Sequence, residues 1–416
     1  MRLLRFARND TGCKHHLMKE PEKKPRELAT LDRSFEPPFG SNTIRLSVRE
    51  WIVAGALVVA LCLFIPWGWQ RIEPFEPGPD YRMPYELGND YWQYERYCRL
   101  ACGQNKVLVI GDSVVWGEYV TPQETLTHHL NALTGSDRFV NLGVDGIHPA
   151  AMHGLIAYYG RAIRGQTVML HFNPLWMSSK RQDLQTEREF QFNHPKLAPQ
   201  FMPLIPCYKE PYANRIGIVI ERYLPFRAWS NHLAIAYFDN SDLPTWAREN
   251  PYSNPLKRIS LELPAPSPAL RHKPLPWTET VGAPVDFEWV AEASSVQWHS
   301  FRETVRTLIA RNNKVLIIIG PFNQHMIKAE QIQPYNAVAA GIDTWLKEHK
   351  IPHYAPPLLP SELYADASHP LGEGYALIAE NILEDESCHR FLRGHEQQVK
   401  IAINSHGQGR WCEGGI

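Results

Sequence analysis

The polarity pattern divides the chain into three stretches. Residues 1–50 are polar, with several prolines and a paired lysine, and show no sustained apolar period. From Trp51 to Gln70 the sequence WIVAGALVVALCLFIPWGWQ carries no charge over twenty residues. Beyond residue 70 polar and apolar positions mix again. From Lys106 onward, short β-rich runs alternate with segments of helical spacing.

The uncharged run is long enough to cross a hydrocarbon core of about 30 Å, which needs about 20 apolar residues. Trp51, Trp67 and Trp69 stand at its two ends, where indole rings prefer the membrane interface. A signal-peptide core is shorter and lies nearer the start. The run therefore predicts a transmembrane anchor over 51–70, with Pro66 near the far interface. Residues 1–50 carry eleven Lys/Arg against seven Asp/Glu, a net +4, and Arg45 and Arg49 directly precede the span. Positive residues stay inside, so the reading is a single-pass protein with a cytoplasmic, disordered tail over 1–50 and everything after residue 70 exported.

Residues 71–104, rich in Pro, Tyr and acidic side chains, read as a stalk. A catalytic-sized α/β domain is expected over 105–390. Its strands are 106–110, 139–142, 167–172 and 314–320, with a short fifth at 352–354. Its helices are 123–134, 149–163, 294–311, 333–349 and 372–383. Strands alternating with helices of this length predict a parallel sheet covered on both faces. Residues 177–293 break the pattern with aromatic clusters and prolines, eight of them between Pro251 and Pro284. A structureless loop of that length is improbable in a compact domain, so the segment reads as an inserted subdomain of short helices that covers the site or meets a partner. Its aromatic residues could hold a sugar or an acyl chain, although such clusters more often form core. Residues 391–416 form a C-terminal tail.

Composition narrows the function. Lys+Arg number 43 and Asp+Glu 44, so bulk positive charge for nucleic acid is lacking. With +4 on the tail, the exported part carries −5, an ordinary soluble surface. Seven cysteines are too few for a disulfide scaffold. Cys98, Cys102, Cys207, Cys388 and Cys412 would be exported, an odd number whose pairing sequence does not give. Cys98 and Cys102 would share one side of a helix if one forms there. His128, His129, His171, His194, His299 and His325 make no metal-ligand spacing, and no metal or cofactor is expected.

In an open parallel sheet, ligands bind beyond the carboxyl ends of the strands. Four polar elements fall there: Ser113 after the first strand, Gly143 after the second, Asn173 at the third, and Asp366-Ala367-Ser368-His369 before the last helix. A serine hydroxyl becomes a nucleophile when a base takes its proton, and histidine is the usual base near neutral pH. A carboxylate on the other ring nitrogen fixes the tautomer and stabilises the imidazolium. Ser113, His369 and Asp366 supply these roles. The N–H groups of Ser113 and Gly143 and the Asn173 amide are candidate donors for a developing oxyanion. Each element alone reads equally as a turn or a helix cap; their order at successive strand ends is what carries the chemistry. His325 and Asn323, after the fourth strand, and His171, within the third, are candidate substrate-binding residues.

Gly111-Asp112-Ser113-Val114-Val115-Trp116-Gly117, Asn141-Leu142-Gly143-Val144-Asp145-Gly146, Asn173 and Asp366-Ala367-Ser368-His369-Pro370 together resemble the four blocks of the SGNH (GDSL) hydrolase superfamily. The resemblance covers about 106–176 and 294–385. It implies a flavodoxin-like three-layer α/β/α domain, acyl-ester chemistry, Ser113 as nucleophile, His369 as base, Asp366 as its orienter, and an oxyanion hole of Ser113, Gly143 and Asn173. One block departs. The usual Gly-X-Asn-Asp is here His171-Phe172-Asn173-Pro174, which keeps only the asparagine.

Three functions compete. The first is a membrane-anchored O-acyltransferase acting on a cell-envelope or exported polysaccharide. It would use an acyl-ester donor and a glycan acceptor and, by analogy with anchored members of the superfamily, a multi-span membrane O-acyltransferase partner. The second is an SGNH esterase or deacylase passing the same acyl group to water. The third is a non-catalytic SGNH-like assembly or glycan-binding protein.

Overall fold

The computed structural model describes residues 46–394. The tails expected over most of 1–50 and 391–416 lie outside the described residues, apart from their inner ends. Helix α1 spans Val48–Ile72 and is long and apolar enough to cross a membrane, with a mean hydropathy of 2.2 over its most apolar window. Pro66 lies inside it. The helix continues through the proline for six more residues, giving about 37 Å of helix at 1.5 Å per residue. The chain divides into two compact units at Cys62–Leu63, and the second holds the end of α1 and every later element.

Five parallel strands form one sheet in the order β2-β1-β3-β4-β5. They are β1 Val107–Ile110, β2 Phe139–Asn141, β3 Thr167–Phe172, β4 Lys314–Ile319 and β5 His353–Tyr354. Register is set by pairs such as Leu108 with Val140 and Val168, and Met169 with Leu316. The runs VLVI and TVMLHF are apolar almost without break because both faces are covered. Alternate side chains take opposite sides. Leu108, Ile110, Val168, Leu170 and Ile317 enter one core; Val107, Val109, Met169, Leu316 and Ile318 enter the other.

The first core is closed by α2 (Tyr91–Gly103), α5 (Pro149–Tyr158), α10 (Val296–Ala310) and α11 (Ile332–Glu348). The second is closed by the one-turn helix α3 (Ser113–Trp116), α4 (Leu126–Thr134) and α12 (Gly372–Glu384). The helix expected over 123–134 is split. Thr125 is extended, its hydroxyl accepts from His128 N–H, and α4 starts after it.

Residues 71–104 are not a stalk. Met83, Leu87, Tyr94, Tyr97 and Cys98 are buried in the first core. The aromatic spacing of α2 supplies part of the first core. Cys98 and Cys102 do share this helix, and both are free thiols, as are Cys207 and Cys388. The insertion holds four short helices: α6 (Tyr212–Glu221), α7 (Pro225–Tyr237), α8 (Leu243–Glu249) and α9 (Trp277–Thr280). Tyr237, Phe238 and Trp246 make a small core of their own, with Trp69 from the end of α1 against it.

A buried charge cluster ties the end of α1 to α7. His232 of α7 sits between Asp90 at 2.6 Å and Glu73 at 3.0 Å, with all three side chains closed to solvent or nearly so. Arg96 pairs with Glu73 at 2.7 Å. Burial opposes a charge on His232, but the two carboxylates raise its pKa to about 9.

Candidate active site

The loop after β1 folds at once into α3. Asp112 caps this turn by accepting from Val114 N–H at 3.1 Å, and Ser113 is its first residue. Gly117 ends it with φ +91°, where a side chain would be strained. The loop before α12 is drawn tight by an Ala365 N–H bond to the His369 carbonyl at 2.9 Å. Within it, Asp366 Oδ1 accepts from the backbone N–H groups of Ser368 and His369, each at 2.9 Å. These local bonds set the carboxylate and the imidazole side by side.

The two loops meet. His369 Nδ1 lies 2.8 Å from both Asp366 oxygens, and His369 Nε2 lies 2.8 Å from Ser113 Oγ. Burial raises the Asp366 pKa, but His369 and the two N–H donors outweigh it and leave the carboxyl below its ordinary value. Burial also disfavours charge on His369. The Asp366 carboxylate, with Glu118 and Asp112 behind it, reverses this and raises the imidazole to about 9.

Two of the three proposed oxyanion donors already hold protein partners. Gly143 N–H donates to Asn141 Oδ1 at 3.0 Å, and the Asn141 amide donates to the Val115 carbonyl at 2.8 Å. A Cβ at residue 143 would stand 2.5 Å from Trp116 N, so only glycine lets the β2 loop touch α3 backbone to backbone. Asn173 Nδ2 donates to Asp112 Oδ2 at 2.9 Å, while Asn173 Oδ1 accepts from Leu175 N–H. An amide nitrogen carries two protons, so Asn173 keeps one for a ligand. Gly143 must share or exchange its single one.

Asp112 is the hub beneath the serine. It is buried and accepts from Asn173, from Trp176 Nε1 at 2.9 Å and from Val114 N–H. Burial alone would raise its pKa; His171, Asn173 and Trp176 together hold it at about 2. His171 bonds the Gly320 carbonyl through Nε2 at 2.8 Å and brings Nδ1 to 3.2 Å from Asp112. His171 therefore braces the site from within and does not face a ligand, contrary to the expectation for it.

Asn323 is corrected in the same way. It is fully buried, its amide donates to the Asp366 carbonyl at 3.1 Å, and its N–H bonds Ala367 O at 2.9 Å. It pins the histidine loop to the end of β4. His325 is exposed and bonds the Leu359 carbonyl at 3.0 Å, next to Tyr364. It is not joined to the Ser113–His369 pair by any described contact.

Five further residues border the relay without any sequence pattern to announce them. Tyr119 places its ring 5.5 Å from that of His369 and 5.4 Å from that of His272. Glu118 accepts from His272 Nε2 at 2.8 Å and faces Arg271 at 3.4 Å; Arg271 reaches Asp145 at 2.9 Å. Burial and the neighbouring Asp145 carboxyl push Glu118 up to about 8. The proline-rich part of the insertion thus lies as a strap against the rim of the site. Arg82, from the segment read as a stalk, donates to the Trp116 carbonyl at 2.9 Å and fixes the end of α3. Among the described residues no group of three or more His, Cys, Asp or Glu could hold a metal ion.

No protein-family model matches the chain, and no curated protein matches it.

Proposed function

We propose that this chain is a membrane-tethered serine acyl-ester enzyme of the SGNH type. In this reading it is an O-acyltransferase that moves an acyl group through Ser113 to a cell-envelope or exported polysaccharide. The observation that carries the reading is the unbroken Ser113–His369–Asp366 relay, with 2.8 Å at each step. The strand order 2-1-3-4-5 with helices on both faces supports it, being that of the flavodoxin-like doubly wound sheets. The apolar helix α1, with Arg45 before it and Arg49 in its first turn, supports a single-pass anchor that leaves the tail cytoplasmic and the catalytic body exported. A multi-span membrane O-acyltransferase is the proposed source of the acyl group.

The chemistry runs on one proton. Neutral His369 accepts the Ser113 proton at Nε2 as Oγ attacks the acyl carbonyl. The tetrahedral oxyanion is met by the Ser113 N–H, the second Asn173 proton and, once released from Asn141, the Gly143 N–H. Collapse breaks the bond to the donor oxygen, which leaves with the Nε2 proton. An acceptor hydroxyl then gives its proton to Nε2, attacks the acyl-serine and restores Ser113. With water as acceptor, the same steps make an esterase.

A second, non-catalytic reading is favoured by one observation: Gly143 and Asn173 already hold protein partners. The test is turnover of p-nitrophenyl acetate by the full chain and by Ser113→Ala. Equal rates would remove Ser113 as nucleophile and leave the non-catalytic reading. With labelled acetyl donor and envelope glycan present, label in the glycan identifies a transferase, and free acetate alone identifies an esterase.

A further inference from the structure

Helix α6 is turned inside out relative to an ordinary surface helix. Its guanidinium groups point inward: Arg215 and Arg222, the latter at the end of the helix, are 5% and 8% exposed. Arg215 donates to the carbonyls of Gln200, Tyr208 and Glu210, and Arg222 to those of Lys196 and Ala198. Its aliphatic residues point outward: Ile216 and Ile220 are each 52% exposed. Tyr212, Ile216 and Ile220 follow the i, i+4, i+8 spacing of one helix face, and the exposed Tyr223 and Leu224 lie just beyond the end of the helix. A face built this way, with both guanidinium groups turned to internal carbonyls, is matched to an apolar surrounding.

The position of the stripe says which surrounding. Leu224 leads directly into α7, and Trp229 of α7 packs on Trp69 of α1 with ring centroids 5.7 Å apart. One turn further, His232 is locked to Glu73. Trp69 is the interfacial end of the uncharged run, and Arg71 stacks over Trp67 at 3.4 Å beside it. From Pro225 to Trp229 is four residues, about 6 Å of helix rise. That is close to the thickness of one headgroup layer, since the interfacial regions add roughly 10–15 Å to a bilayer in total.

We propose that the α6–α7 turn and the outer face of α6 rest in the lipid interface beside the end of α1. They form a second, monotopic contact that fixes the catalytic body against the bilayer. This rests on the reading of α1 as a membrane span and is independent of the acyl chemistry.

The test places the photo-reactive residue benzoylphenylalanine at Ile220 or at Leu224 of the full chain in its native membrane. Leu377 serves as control, an exposed position on α12 at the opposite face of the sheet. Phospholipid adducts at residues 220 and 224, several-fold above residue 377, are expected. Adducts to a second copy or another protein without lipid, or no adduct, would overturn the proposal. Alkaline carbonate extraction is run in parallel. Release of the full chain overturns the span and this inference together, whereas retention without lipid adducts overturns this inference alone.

Discussion

His369 Nε2 lies 2.8 Å from Ser113 Oγ, although 256 residues separate the two in the chain. The contact exists because β1 lies inside the sheet, between β2 and β3, and the loop before α12 folds back over its carboxyl end. A general base in contact with its nucleophile contributes typically 10²–10⁴-fold. His369→Ala is therefore expected to lower kcat for p-nitrophenyl acetate by about that factor with the fold unchanged by circular dichroism. A folded variant with wild-type turnover would detach the imidazole from the chemistry.

The raised pKa of His369 gives the reaction a pH signature. Only the neutral ring can take the serine proton, and the folded protein holds the ring protonated up to about pH 9. The value of kcat/KM should then rise with pH, about tenfold per unit, and level near 9. Glu118 contributes to that shift through its charge, so Glu118→Gln should move the limb to lower pH while turnover persists. A limb centred at the ordinary histidine value in the wild type, or one unmoved in the variant, would contradict these assignments.

Gly143 offers a steric test. An added Cβ meets Trp116 N at 2.5 Å and Val115 C at 2.9 Å, both rigid backbone. Overpacking of this kind costs typically about 1–3 kcal/mol, and here the displaced element carries Ser113. Gly143→Ala should lower the urea midpoint and ester turnover together. Gly103→Ala, at a position open to 4 Å all round, should change neither.

Much of the fold and the relay was legible because the relevant residues are local. VLVI, TVMLHF and KVLIII are apolar runs between turn residues, and all three are strands within a residue of their expected ends. Asp366 and His369 lie three apart and orient each other through backbone bonds that sequence spacing already implies. What stayed hidden depends on tertiary partners. Tyr91–Gly103 reads as polar stalk because its apolar face is made of tyrosines, whose burial only the sheet explains. Arg271, His272 and Glu118 meet across about 150 residues, and the strap that carries the first two is irregular chain in which no period reports proximity. His171 and Asn323 sit at the right strands but point inward, and a strand-end position alone does not fix that direction.

The strap is expected to bear on the fate of the acyl group. Arg271 joins Glu118 and Asp145 and stacks over Tyr85 at 3.2 Å. Arg271→Ala removes the strap's ion pairs with Asp145 and Glu118, which loosens the strap from the rim and admits water. The ratio of free acetate to acylated glycan should rise, while acylation of Ser113, read by mass spectrometry, persists. An unchanged ratio would show that the strap does not govern access of water.

The His232 cluster predicts how stability depends on pH. Folding raises the pKa of this imidazole from an ordinary value near 6.5 to about 9. A group that gains affinity for its proton on folding stabilises the native state fully below the unfolded value, and the contribution fades as pH rises through the folded one. The melting temperature of the body after α1 should thus fall between pH 7 and pH 10 as the proton between Glu73 and Asp90 is lost. His232→Leu removes the cation and leaves two buried carboxylates with Arg96 alone against them. Breaking a buried pair in this way costs typically about 3–5 kcal/mol, so the variant should melt well below the wild type at pH 7. It should also lose most of the decline between pH 7 and 10, since the titrating ring is gone. Parallel melting curves against pH in the two proteins would show that His232 is not the group that titrates.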